Sequence, residues 1–164
     1  MPATYEPIAT TTLGSAAADV TFSSISGTYT DLVVIYTALA ATGNPDMTAQ
    51  LNADTGSNYS ATRLTGNGTA ASSARYSTQT FCRFDEFAAA TTTAATMGVI
   101  SVMNYSNATT YKTLISRSNQ AGLGVETFVN LWRSTASITS IKLAFTSGNI
   151  AAGAVFTLYG IKAA

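Results

Sequence analysis

Short runs of alternating apolar and polar residues, each closed by turn residues, constrain this chain more than any other feature. Alternation with period two puts one set of side chains on each face of a strand, and many short runs of this kind build a sandwich or barrel. In Asp31–Ala38, Leu32, Val34 and Tyr36 share one face while Val33 and Ile35 share the other, which predicts a central strand covered on both sides. Met47, Ala49 and Leu51 alternate with Thr48 and Gln50 after the Gly43-Asn-Pro-Asp46 turn, which predicts a half-buried strand. Further runs cover 19–25, 75–87, 97–105, 111–118, 126–133, 138–146 and 154–162. That is roughly nine strands with no amphipathic helix among them.

The connections are too short for crossover helices, so the strands pair antiparallel. No repeat of fixed period is present, which disfavours a propeller or solenoid. The sequence therefore predicts an all-β fold, an antiparallel jelly-roll-like β-sandwich in one domain over 19–164. Residues 1–18, with Pro2, Pro7, a Thr10–Thr12 run and an Ala16–Ala18 run, lack a sustained period and read as an extended N-terminal arm. Pro7 is compatible with a short edge strand that it would precede. Residues 54–60 read as a polar turn, 63–73 as a loop, and the Ala- and Thr-rich stretch 88–95 as another loop.

Composition narrows the chemistry. Among 164 residues there is no histidine, one cysteine and only 10% charged residues, with eight cationic and eight anionic side chains and a formal net charge of +0. A serine or cysteine hydrolase of the usual kind needs a histidine base, and common zinc sites need imidazole or several thiolates. The dispersed basic residues form no footprint for nucleic acid, and no stretch approaches the roughly 18 apolar residues of a membrane span. Met1–Glu6 has none of the build of a secretory signal. Paired carboxylates could still hydrolyse a glycoside, but adjacent Asp85 and Glu86 point to opposite faces of a strand. No catalytic residue, metal ligand or cofactor site is assigned, and Cys82, between Phe81 and Arg83, reads as a buried small hydrophobe.

The remaining candidates are contact residues. Trp132 beside Arg133, together with Tyr59 and Tyr105 near loop ends, could stack on a sugar or sit in an interface. For Trp132 the competing reading is core packing, because Phe128 shares its face. Asp54 and Asn58 sit at alternate oxygen-bearing positions of Asp54-Thr-Gly-Ser-Asn58, spaced as calcium ligands often are or as in a plain Asx turn. A near-neutral surface favours association. Strands such as Asp31–Ala38 carry none of the Lys or Pro guards of an exposed edge, so the chain looks made to sit against neighbours.

The ends of the domain carry a resemblance. Tyr5-Glu-Pro-Ile-Ala-Thr-Thr-Thr-Leu-Gly-Ser15, the Val20 to Ile25 run, Gly27-Thr-Tyr-Thr-Asp-Leu32, Leu51-Asn-Ala-Asp-Thr-Gly-Ser-Asn-Tyr59 and the closing Phe156-Thr-Leu-Tyr-Gly-Ile-Lys162 look like small virion structural proteins of tailed bacteriophages. The resemblance implies a jelly-roll homotrimer on the particle that has no catalytic residues. It would be either a capsid decoration (cement) protein bound to the major capsid protein on the outer shell, or a receptor- or carbohydrate-binding tip of a tail fibre or baseplate that binds host surface glycans. With the sandwich starting so close to Met1 and no shaft before it, decoration of the head is the expectation.

Overall fold

A computed structural model describes residues 4–162. Among these, the alternating runs become twelve strands in two antiparallel sheets, with no helix. They are β1 (Tyr5–Thr12), β2 (Asp19–Phe22), β3 (Asp31–Ala38), β4 (Met47–Leu51), β5 (Tyr59–Gly66), β6 (Ala71–Gln79), β7 (Cys82–Arg83), β8 (Thr96–Val102), β9 (Lys112–Gln120), β10 (Gly124–Trp132), β11 (Ile141–Phe145) and β12 (Val155–Ile161). The larger sheet runs β1-β12-β3-β8-β9-β10-β5-β6 and the smaller runs β2-β11-β4-β7. The two sheets face each other as the jelly-roll-like sandwich that the periodicity predicts.

The core lies between them. Leu32, Val34 and Tyr36 of β3, Ile100 and Val102 of β8, and Phe156 and Leu158 of β12 meet Val20, Phe22, Met47, Leu51, Ile141 and Leu143 of the smaller sheet. Tyr36 stacks on Phe156 with ring centroids 5.9 Å apart. Its ring also occupies the space over Gly98, its cross-strand partner, where an added Cβ would lie 2.3 Å from a ring carbon. Tyr29 fills the space over Gly160 in the same way. Glycine at these two strand positions is what lets an aromatic ring lie flat on the backbone.

Four expectations change. The arm is not free: β1 forms an edge of the larger sheet, paired with β12 from Tyr5↔Ile161 to Thr12↔Val155 with a bulge between Pro7 and Ala9, and Lys162 Nζ reaches Glu6 Oε1 at 2.9 Å. The part of the predicted arm at residues 1–3, and the last two residues of the predicted domain, lie outside the described residues. β5 occupies 59–66, which reads in sequence as turn and loop. β3 is covered on both faces only at its start; on the outer face Val33 is buried but Ile35 is 45% exposed.

The run at 75–87 also breaks. It supplies β6 and β7, and from Phe84 the chain leaves the sheet edge as an irregular segment through Ala90, with Phe84, Asp85, Ala88 and Ala90 fully buried. A buried backbone without a ladder must find partners elsewhere. They come from inward-facing polar side chains of β9 and β10, which together replace a further strand of the smaller sheet.

Candidate functional site

Inward polar residues on β9 and β10 invert the usual distribution. Ser116, Ser118 and Gln120 of β9 and Glu126 and Asn130 of β10 are buried. Asn130 Oδ1 accepts from Arg83 N–H at 2.9 Å and its Nδ2 donates to Arg83 C=O at 2.8 Å. Ser118 Oγ donates to Phe84 C=O at 2.6 Å. The Glu126 carboxylate accepts the backbone N–H groups of Glu86, Phe87 and Ala88 at 2.8, 2.9 and 3.0 Å. Since successive side chains alternate, the same strands turn Ile115, Val125 and Val129 outward.

The result is an apolar outer face on the larger sheet. Register places Val155, Ile35 and Met97 in neighbouring rows with Val99, Ile115, Val129 and Leu64 across β12, β3, β8, β9, β10 and β5. Seven of the exposed large apolar side chains lie here, with Leu64 at 59%, Met97 at 52% and Val129 at 45% exposure. The smaller sheet turns Thr21, Gln50 and Lys142 outward instead. On the larger sheet Thr37, Ser101, Asn119 and Thr127 stand between the apolar residues in the same rows, so the face mixes apolar and small polar side chains, as protein contact surfaces commonly do.

Arg117 stands in the middle of this face, exposed, opposite Val99 on one side and Thr127 on the other, and no ion pair to it forms among the described residues. Arg75, at the rim on β6, donates to Thr62 Oγ1 at 3.4 Å. Two shallow depressions meet at Arg117, one of about 260 Å³ lined by Val99, Ser101, Ile115 and Thr127, the other of about 190 Å³ lined by Ile35, Met97 and Asn119. Both fall short of the roughly 300–1,000 Å³ that small-molecule pockets occupy. The face suits a broad macromolecular contact with a negative group over Arg117.

The contact residues expected from sequence lie elsewhere. Trp132 and Tyr59 are buried and stack at 6.3 Å, and Tyr105 is buried with its hydroxyl donated to Ser26 C=O. None of the three offers a ring to a surface ligand. Asp54 and Asn58 form an Asx turn: the Asp54 carboxylate accepts from Gly56 N–H at 2.8 Å, Asn58 Nδ2 at 2.9 Å and Trp132 Nε1–H at 2.7 Å. Burial acts to raise the Asp54 pKa, but the donors from Trp132, Asn58 and Gly56 outweigh it and hold it below the usual carboxylate range. Those lone pairs are spent on holding the turn. Of the set, Asn58 and Arg133 are exposed, Asn58 in the turn before β5 and Arg133 just past the end of β10.

Acidic side chains come together in the interior beside β7, a grouping with no periodic signal in the sequence. Asp85, fully buried, accepts from Thr96 Oγ1 at 2.8 Å, from Tyr36 OH at 3.3 Å and from Met47 N–H. Burial pushes Asp85 up to about 7 against the pull of the Met47 and Thr96 donors. Burial and the nearby Glu86 charge push Asp46 up to about 6, opposed by Arg83. Arg63 contacts Glu86 at 3.1 Å and Arg83 contacts Asp46 at 3.4 Å. Every one of these carboxylates already holds protein donors, and no group of three His, Cys, Asp or Glu suited to a metal ion occurs among the described residues. Cys82 is buried beside them and burial raises its thiol pKa far above the ordinary value.

No protein-family model matches the chain, and no curated protein does. Among solved structures, it is similar to the exo-inulinase from Aspergillus awamori (13% identity, TM-score 0.46), with 96% of this chain matching 29% of that one. It is similar to the galectin LEC-6 from Caenorhabditis elegans at 9% identity and TM-score 0.33, over 91% of this chain and 94% of that one. A third is the alginate lyase Aly36B, at 8% identity and TM-score 0.32, over 94% and 80%. The chain thus spans less than a third of the exo-inulinase, and at these identities the likeness is one of fold alone.

Proposed function

We propose that this protein is a non-enzymatic contact protein of a bacteriophage particle, a capsid decoration protein that lays the outer face of its larger sheet on the outer shell. One observation carries the reading: seven large apolar side chains are exposed on that face around Arg117, which forms no ion pair among the described residues. Apolar area of this kind gains roughly 25 cal/mol per Å² when covered, and an arginine at its centre selects a partner surface with a carboxylate opposite. The carboxylates that could have served catalysis are engaged in holding the buried segment and the turns. The resemblance of the chain ends to virion structural proteins supplies the particle, and the expected partner is the major capsid protein.

Copy number on purified particles tests this. Hundreds of copies spread over the head are expected. A handful of copies, or protein confined to the tail, would overturn it in favour of a receptor-binding tip.

A further inference from the structure

The four sheet edges differ sharply. β1 is guarded by Pro7, which has no N–H to offer, and by the bulge beyond it. β2 has four residues and β7 two, too short to template a partner strand. β6 has nine residues, Ala71–Gln79, with no proline or lysine, and its pairing runs on β5 alone. Its first six residues pair regularly, from Ala71↔Gly66 to Tyr76↔Ala61, before a bulge near Ser77 and Thr78. Half of the backbone N–H and C=O groups of this stretch therefore point away from the sheet.

We infer that β6 pairs with β6 of a second copy of this chain, antiparallel about a two-fold axis, and that the two larger sheets become one continuous sheet. An antiparallel strand pair is self-complementary, so the contact closes on two copies. That number departs from the three copies implied by the resemblance. Side chains on β6 are small enough for the approach: Ala71, Ser72, Ser73 and Ala74 come before Arg75. Residues opposite each other must share a face, so the axis passes at a residue. An axis at Arg75 would set two guanidiniums face to face, whereas one at Ser73 or Ala74 sets Arg75 opposite Ala71 or Ser73 of the other copy.

Area gives the second reason. Six strands of the apolar face at about 4.8 Å spacing and about seven residues of 3.3 Å rise cover roughly 670 Å². A stable interface buries about 800 Å² on each partner. Joining two copies at β6 puts both apolar faces on one side of one sheet and takes the docking area past that threshold. The inference rests on the reading of this face as a docking surface, and the state of the free protein tests it apart from the particle.

The test is the mass of the full chain in solution by light scattering, with variants Ser73→Cys, Ala74→Cys and Ser73→Lys. A dimer is expected, together with a crosslinked dimer on mild oxidation of Ser73→Cys or Ala74→Cys, since directly opposed residues have Cα atoms about 4.5–5.5 Å apart, within disulfide reach. Buried Cys82 stays out of that reaction. Ser73→Lys should give a folded monomer whose melting midpoint no longer depends on protein concentration, whereas that of the dimer rises with it. A monomeric or trimeric parent protein would overturn the inference, as would a dimer that neither cysteine crosslinks. These outcomes leave the copy number on the particle untouched.

Discussion

Asn130 holds Arg83 through two hydrogen bonds that reproduce one rung of a β ladder, its amide oxygen taking the Arg83 N–H at 2.9 Å and its amide nitrogen giving to the Arg83 C=O at 2.8 Å. A side chain thus stands in for a strand at the point where the chain leaves β7 for the interior. Because Asn130 is fully buried, water cannot take over if it is removed.

Asn130→Ala should cost about 2–4 kcal/mol, since it strands one donor and one acceptor at roughly 1–3 kcal/mol each and opens a small cavity. Asn130→Asp keeps both bonds only when protonated and, ionised, buries a charge against the Arg83 C=O, so at neutral pH its loss should be at least as large. Urea denaturation with both variants checks the order. Equal stability of Asn130→Ala and the parent chain would show that the segment is held by other contacts.

This arrangement also explains what the sequence could and could not disclose. β3, β4 and β12 were legible because their inward residues are the apolar ones: Leu32, Val34 and Tyr36, Met47 and Leu51, Phe156 and Leu158. β5 was not, because its second half turns Leu64 to solvent and Arg63 and Thr65 inward, so the alternation there carries the opposite sign. The inversion on β9 and β10 has the same origin, a polar inner face that serves the segment 84–90. Trp132 shows a further limit: its face was read from Phe128, but only tertiary packing closes it over with Tyr59. The open face itself could be found only by adding registers across six strands, since no single strand displays it.

Acidification should stabilise the protein between pH 8 and pH 5. Asp85 and Asp46 have folded pKa values of about 7 and about 6, above the ordinary 3.8, with burial as the first cause in each case. The folded state therefore binds protons that the unfolded chain has already released, and stability contributed by these groups is lost as pH rises through 6 and 7. The thermal midpoint should climb on going from pH 8 to pH 5 and climb less in Asp85→Asn. A midpoint that falls over this interval would mean that the donors around Asp85 outweigh its burial.

Gly98→Ala should destabilise by about 1–3 kcal/mol, the usual cost of overpacking a filled core. The new methyl would lie 2.3 Å from the Tyr36 ring, which is itself fixed against Phe156 and hydrogen-bonded to Asp85. Combining it with Tyr36→Phe, which removes the hydroxyl end of the crowding at 2.5 Å but leaves the ring, should recover little. Full recovery in the double variant, read by urea melts, would place the clash at the hydroxyl alone.

Charges set into the open face separate folding from docking. Val129 and Ile115 are each about half exposed, in adjacent strands and directly opposite one another, so Val129→Asp and Ile115→Glu place a carboxylate where solvent already reaches. Stability should fall by no more than about 1 kcal/mol for each, the span of strand propensities. Binding to particles stripped of the protein should fall at least about tenfold, because a desolvated charge facing an apolar partner costs more than the roughly 1.4 kcal/mol that a factor of ten represents. Arg117→Glu, which reverses the charge at the centre, should lose binding by a similar factor and Arg117→Lys by less. Stable variants that bind particles as well as the parent chain would remove this face from the contact, whatever the copy number on the head.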